Sequence, residues 1–383
     1  MDFNKKIKLL HIIPSLEIGG AQEIIVEIAK NINKDKFKMM VYCLQNKSEL
    51  LENICSQGVE VVLSNQKSNY DFKILPKIVN FLKKERPDII HTWMFGADLW
   101  GRLAAILTNV PIKVSSIVSK YEIYKWKNHL ADRLLEPFTD KFIFCNDSAI
   151  DFSIRRSGVK QSKIVKLSEP VDVEKFYRLK ERVSEYKRDS FRQRFGIRKD
   201  LPIVGIIARL EEQKGVKYFI EAAGILEKDI NAQYLIVGNG TLRYNLENYV
   251  KELRIKSPVI FTGFQHDLPL IYSLLDVLVI SSIWEGKPLV MLYAMAAEVP
   301  VVGVGIDGIA EVLIENETGF PCKPRDSFAL AESIKKAITK TEMLKRITEQ
   351  AKILVSESFN SKKVIRDYEA LYLSLFGEKL RKN

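Results

Sequence analysis

Long hydrophobic runs are missing from this chain. No stretch of about 18 uncharged apolar residues occurs, because the longest candidates are broken by Asp267, Asp276, Glu285 and Glu298. A transmembrane helix is therefore not expected. The apolar stretch at 7–13 is short, is interrupted by Lys8 and His11, and precedes no small-residue cleavage site. It reads as a first buried strand, not an export signal. Cysteine is scarce: Cys43, Cys55, Cys145 and Cys322 are dispersed and form no C-x-x-C pair. Without an export signal they read as reduced and structural. Only four histidines occur, none closely spaced, so no metal site is expected. No zinc finger, RNP motif or basic zipper is present, which argues against nucleic acid as a partner.

What is present fits a globular chain. The 383 residues exceed one ordinary core and suit two domains of roughly 150–200 residues. Hydrophobic content is 46% and charged content 28%, values of folded proteins rather than disordered ones. The net charge is +11, and residues 1–170 carry 26 Lys and Arg against 19 Asp and Glu. Excess positive charge favours anionic neighbours such as phosphorylated substrates or anionic lipid, or is a plainly solvated surface.

Apolar periodicity alternates along the chain. Strand-like runs at 6–13, 37–44, 59–63, 88–92, 113–118, 141–145 and 163–167 are separated by helical patterns at 21–31, 73–85, 97–107 and 148–158. Residues 173–200 are charged and poor in strand formers, reading as a connection with a surface helix. A second series follows, with strands at 201–210, 232–240, 258–264, 277–283 and 299–305 and helices between them. Three final helices are expected at 327–338, 343–355 and 361–377. Alternating β and α elements predict doubly wound parallel sheets, whose ligands sit beyond the carboxyl ends of strands.

Four loops after strands carry candidate chemistry. Gly19 and Gly20 open a helix after the first strand, where backbone approach and a free helix N-terminus suit an anion; a plain tight turn is the alternative. Arg209 and Lys214 stand five residues apart in one loop and suit a diphosphate, as a fork and a point charge. They are otherwise two solvated cations. Val237-Gly238-Asn239-Gly240 lacks a full G-x-G-x-x-G and alone is only a β–α turn. In Trp284-Glu285-Gly286-Lys287-Pro288-Leu289-Val290, a carboxylate precedes a Pro-started helix. The Leu289 and Val290 amides there suit phosphate oxygens, and Glu285 suits sugar hydroxyls or merely the helix dipole.

In order and spacing these segments resemble glycosyltransferase family 4, the retaining GT-B enzymes. The resemblance rests on GGAQ (19–22), IHTWMFGADLWGRLAA (90–105), EPVDVEKF (169–176), ARLEEQKGVKYFIEAA (208–223), VGNGTLR (237–243), the run from FTGF to GKPLV (261–290), VPVVGVGIDGIAEVL (299–313) and ETGFPCKP (317–324). It implies an α/β GT-B fold, two Rossmann-like doubly wound domains facing a cleft. Residues 1–172 would be an acceptor-binding domain and 173–360 a nucleotide-sugar-binding domain, with a last helix at about 361–383 packing back on the first.

The resemblance implies site residues too. Arg209, Lys214 and Glu285 would be catalytic, the first two holding the diphosphate and Glu285 the donor sugar. Gly19, Gly20, Gly238, Gly286, Lys287, Leu289 and Val290 would bind the donor, with Phe264 near the base. No metal or cofactor is implied, in agreement with the absence of an Asp-x-Asp pair. Two positions depart from the family. Where it has a second glutamate on the ribose, this chain has Tyr293, which forms one hydrogen bond and cannot clamp a diol. Where it commonly has an N-domain histidine, this chain has Tyr121. His91 is either an alternative acceptor-side residue or a satisfied structural histidine.

The implied function is transfer of a hexose or N-acetylhexosamine from a UDP- or GDP-sugar to a polysaccharide or lipid-linked acceptor. A catalytically impaired binding subunit assisting a partner transferase is the alternative, and a GT-B epimerase a third option. The expected location is the cytoplasm. The segment 119–138 interleaves Lys with Tyr and Trp. It keeps open a peripheral contact with an anionic membrane, against an ordinary helix with inward aromatics.

Overall fold

The computed structural model describes residues 6–66, 71–118, 126–339 and 341–382. The chain divides into two units, Met1–Pro170 with Asn360–Asn383, and Val171–Phe359. Among the described residues no helix is long and apolar enough to cross a membrane.

The first unit runs β1 (Ile7–Ile13), α1 (Gly20–Asn31), β2 (Phe37–Cys43), α2 (Leu51–Cys55), β3 (Glu60–Leu63), α3 (Ile74–Glu85), β4 (Ile89–Trp93), α4 (Phe95–Leu107), β5 (Ile112–Ile117), α5 (Trp126–Leu135), β6 (Lys141–Phe144), α6 (Asp147–Ser157) and β7 (Ile164–Lys166). Its seven strands lie in the order β3-β2-β1-β4-β5-β6-β7, and every pair is parallel. Both faces of the central strands are covered, so β1 is buried almost throughout, as parallel sheets require.

The second unit opens with three short surface helices, α7 (Val173–Phe176), α8 (Leu179–Arg182) and α9 (Glu185–Phe195). There follow β8 (Ile203–Ile207), α10 (Val216–Leu226), β9 (Gln233–Val237), α11 (Arg243–Glu252), β10 (Val259–Gly263), α12 (Leu268–Leu274), β11 (Val277–Ile280), α13 (Leu289–Ala296), β12 (Val301–Val304), α14 (Asp307–Ala310), β13 (Phe320–Cys322), α15 (Ser327–Thr339) and α16 (Thr341–Ser358). The six-stranded sheet has the order β10-β9-β8-β11-β12-β13. β13 is not evident from the sequence. It is three residues long and contains Pro321, which lacks a ladder donor and is tolerated at the sheet edge that β13 forms.

Both sheets reverse their winding direction beside their first strand, at β1/β4 and at β8/β11, and both pin that junction with an aspartate. Asp88 accepts from the Lys8 amide at 2.8 Å and returns its own amide to the Lys8 carbonyl at 2.9 Å. Asp276 does the same to Ile203 at 2.8 and 2.9 Å. Each pair sets the register where the strands start, so the loops at the opposite strand ends diverge from a fixed base.

Helix α17 (Ser361–Lys382) returns to the first unit. Its buried Val364, Ile365, Tyr368, Tyr372 and Leu375 join the core around β1 and β4. Burying such side chains contributes about 1.5–3 kcal/mol each relative to exposure.

Candidate functional site

In the second unit the winding direction reverses between β8 and β11, and ligands of open α/β sheets bind outside such points. The loop after β8 holds Arg209 and Lys214. The loop after β11 holds Glu285. The structure joins them: Lys214 Nζ lies 2.5 Å from Glu285 Oε2, with both side chains largely shielded from solvent. Ser282 Oγ donates to the same carboxylate oxygen at 3.0 Å. The Glu285 amide faces Asp307 Oδ2 at 3.5 Å. Below them the Ser281 hydroxyl donates to the Lys214 carbonyl at 3.0 Å and the Ile283 amide to the Gln213 carbonyl at 2.7 Å. The two loops are thus one framework.

Arg209 is exposed in the same loop as Lys214. It adds to the pull on Glu211, whose carboxyl is held below its usual range mainly by the Thr241 amide and hydroxyl. Helix α13 begins beyond the Glu285 loop. Its Met291 amide closes on the Pro288 carbonyl; among the described residues the Leu289 and Val290 amides have no backbone acceptor. They are orphan donors at a positive helix end. A carboxylate, a lysine, an arginine and two amides therefore share one strand-end corner, a set suited to an anion with a polar group attached.

Other expected residues are placed differently. Lys287 is buried, 3.3 Å from Glu311 and 5.2 Å over the Phe359 ring, so its charge serves that packing while Gly286 is buried in the turn before it. Gly238 has φ +134, and a Cβ there would collide with the Ala208 carbonyl. Its glycine is required by the apposed loop, whose Leu210 amide also donates to the Asn239 carbonyl at 2.9 Å. Phe264 is 43% exposed and edges onto His266. Tyr293 is 8% exposed and stacks on Phe176, with centroids 4.4 Å apart and planes within 12°. Its ring is a core element of the second unit.

In the first unit, Gly19 and Gly20 lie at the start of α1. A Cβ on Gly20 would meet nothing within 4 Å, so the fold itself does not require glycine there. His91 proves structural. It is fully buried, and its ring nitrogens share hydrogen bonds with Tyr372 Oη and Ser116 Oγ, both at 2.7 Å. Burial, with His11 alongside, holds its pKa well below the ordinary value. His91 is corrected from an acceptor-side candidate to a core histidine, because α17 seals it from solvent. Tyr121 lies outside the described residues.

Two polar residues went unread in the sequence. His129 on α5 lies 3.2 Å from Ser157 Oγ and lines a small cavity with Asp98, Ser116, Asp132 and Met94. Asp307, beside the Glu285 amide, is a non-glycine residue with φ +46, an unfavourable backbone conformation of the kind retained at functional sites. No sequence pattern announces that φ.

Two family models match successive parts of the chain, one described as Glycosyltransferase Family 4 over residues 18–175 and one as Glycosyl transferases group 1 over residues 187–353. The chain belongs to glycosyltransferase family 4. As a glycosyltransferase of this family it has similar relatives along its whole length. The Escherichia coli UDP-Gal:alpha-D-GlcNAc-diphosphoundecaprenol alpha-1,3-galactosyltransferase is 26% identical over 98% of this chain and 99% of its own. The Bacillus anthracis N-acetyl-alpha-D-glucosaminyl L-malate synthase is 24% identical over 81% and 80%. Among solved structures, Anabaena HepE in complex with UDP-glucose has a TM-score of 0.85 at 20% identity, covering 96% of this chain and 100% of that one. The likeness establishes the two-domain GT-B fold for the transferase.

Proposed function

We propose that this transferase moves a hexose or N-acetylhexosamine from a nucleotide sugar, UDP- or GDP-linked, to a polysaccharide or lipid-linked saccharide, with retention of anomeric configuration and without a metal. The observation that carries the reading is the Lys214–Glu285 pair at the β8/β11 reversal, in loops that also carry Arg209 and lead into the first amides of α13. Arg209, Lys214 and the Leu289 and Val290 amides supply positive potential for a diphosphate, the task that a metal performs at Asp-x-Asp sites. Glu285 accepts hydrogen bonds from donor-sugar hydroxyls. The E. coli relative, named for a UDP-Gal donor and a diphosphoundecaprenol acceptor, and the UDP-glucose complex of the Anabaena neighbour support a nucleotide-sugar donor and a lipid-linked acceptor.

In the reaction the acceptor hydroxyl oxygen bonds to the anomeric carbon on the face that the diphosphate leaves. The sugar–phosphate bond breaks, its electron pair stays on the phosphate oxygen, and that phosphate takes the acceptor proton. Negative charge growing on the leaving group is stabilised by Lys214 and Arg209, preorganised cations whose value lies in the transition state.

A second reading has one observation in its favour. With Tyr293 stacked in the core, no carboxylate stands at the position where the family clamps the ribose, as a binding subunit with an impaired site would have it. Calorimetry with a panel of UDP- and GDP-sugars, followed by turnover with the donor that binds, separates the two. Micromolar binding is expected, with transfer that Lys214→Ala lowers by roughly 10²–10³-fold. Turnover unchanged in Lys214→Ala would sink the mechanism, and absence of any donor binding would favour the impaired subunit.

A further inference from the structure

The strands of the second unit start at the end of the sheet opposite the Lys214–Glu285 corner, and a charged cavity lies at those starts. Asp276 and Ile203, which pin β11 to β8 there, are in its wall. The cavity measures about 280 Å³, and five cations line it: Lys180, Arg188, Arg192, Arg198 and Lys199. β8 runs for five residues between this end and the loop of Arg209 and Lys214, roughly 16 Å of strand. The cavity is therefore separate from that corner.

The sequence concentrates positive charge in this segment. Residues 175–199 hold ten Lys and Arg against three acids, Glu181, Glu185 and Asp189, in a chain whose net charge is +11. The acids order the cations. Glu185 receives Arg188 at 2.8 Å and Arg192 at 2.9 Å. Asp189 receives Arg192 at 3.1 Å and Lys199 at 2.7 Å. Arg198 forks onto Asp200 at 3.1 and 2.6 Å. Two donors are left over among the described residues. Arg192 Nε is buried with no hydrogen-bond partner, and the exposed Lys180 ammonium stands in no ion pair. Buried donors in folded proteins nearly always have an acceptor, so an orphan on a cavity-lining guanidinium points to a missing one.

We propose that this cavity binds a small phosphate monoester, its phosphoryl oxygens on Arg192 and Lys180 and its ester group in the remaining volume. A guanidinium edge matches phosphate oxygens in geometry, and lysine adds a point charge. The volume equals that of about nine waters, more than a bare phosphate displaces. Asp276 gives Oδ2 to the Ile203 amide and has Oδ1 for a hydroxyl of the ester group, which suits a sugar phosphate. Glu185 and Asp276 in the wall oppose a ligand that carries several phosphates, because the positive surplus they leave is small. The site stands apart from the nucleotide-sugar reading and does not depend on it.

The test is titration calorimetry of the full-length protein with glucose 6-phosphate, inorganic phosphate and glucose, each with UDP present. One glucose 6-phosphate per chain is expected, with inorganic phosphate weaker and glucose silent. Arg192→Gln should lower the affinity by roughly 10–100-fold. Arg192→Lys, which keeps the charge and loses the fork, should fall between that variant and the wild type. Lys180→Glu changes an exposed side chain outside the ion-pair network and should lower the affinity by roughly tenfold. It decides alone if circular dichroism shows that Arg192→Gln does not fold. Lys214→Ala should bind the ester as the wild type does. No binding of glucose 6-phosphate would overturn the proposal, as would unchanged affinity in Lys180→Glu. Affinity lost in Lys214→Ala would overturn it too, because the ester would then be occupying the Lys214–Glu285 corner. Inorganic phosphate binding as tightly as the ester would remove the ester group from the assignment.

Discussion

The two reversal points of this transferase share a foundation and differ in what stands on it. Asp88 and Asp276 pin their strand starts with the same pair of hydrogen bonds. In the first unit, the strands β1 and β4 then carry a sealed aromatic cluster. Trp93 Nε1 donates to His11 Nδ1 at 2.9 Å, and the His11 and His91 rings lie 5.1 Å apart under Tyr372. In the second unit, the strand ends carry an ion pair and orphan amides. One reversal point is spent on holding the last helix, and the other leaves a charged corner at its strand ends. A parallel sheet supplies both with the same backbone, and the side chains decide.

The sharpest break between them is catalytic. In the proposed mechanism Lys214→Ala removes a cation from the leaving group, and loss of one such preorganised group typically costs roughly 10²–10³-fold in turnover, about 3–4 kcal/mol. Steady-state kinetics should show the loss chiefly in kcat. Unchanged kcat would mean that the second reversal point, like the first, is structural.

Acid should break the other side. Burial holds the His11 pKa down to about 3, and His91 well below 6.5. His11 also accepts from an indole that can only donate, so a proton at Nδ1 would face another. A folded pKa depressed below the unfolded value means stability that is present above about pH 6.5 and lost as pH falls toward 3. At pH 5 each histidine costs about 2 kcal/mol. Asp132, pushed by burial up to about 6 against the pull of Arg102, has the opposite sign and returns about 1 kcal/mol over the same step. The first unit should thus lose about 3 kcal/mol between pH 7 and pH 5, while the second, whose one histidine is the exposed His266, should not. Calorimetry at both pH values, with limited proteolysis to assign the transition, would contradict this if the second unit melted first.

A smaller effect tests the same cluster without acid. Tyr372→Phe leaves His91 Nδ1 buried without its hydroxyl partner, which should cost the first unit about 1–2 kcal/mol and leave turnover untouched. A change in kcat with no change in melting would give His91 back the acceptor-side role that its burial denies.

How far these differences were legible depends on their distance along the chain. Strand ends were readable, because apolar runs such as Leu278–Ile280 stop at polar or charged residues, and the family segments fix their order. The corner at Lys214 and Glu285 was readable because both lie in loops of strands that parallel winding brings together. His91 was not, since its partner Tyr372 is 281 positions away and either role suits a strand histidine. Tyr293 looked like a substituted ligand contact because its stacking partner Phe176 belongs to a short helix that periodicity does not reveal.

Asp307 offers the finest test, because strain and function predict opposite signs. At φ +46 an aspartate carries a backbone cost that glycine does not, and relieving it should stabilise the second unit by about 0.5–1 kcal/mol, roughly 1–4 °C. If the carboxylate stands beside Glu285 only to complete the loop, Asp307→Gly should lose stability as the contact to the Glu285 amide disappears, and donor KM should stay constant. If the strain is kept for the site, the variant should melt higher while donor KM rises several-fold, and Asp307→Asn should recover part of the binding. We expect the second pattern. It would extend the contrast between the reversal points down to a single residue, with the first unit using its polar groups to stay folded and the second giving up stability at the corner where its chemistry lies.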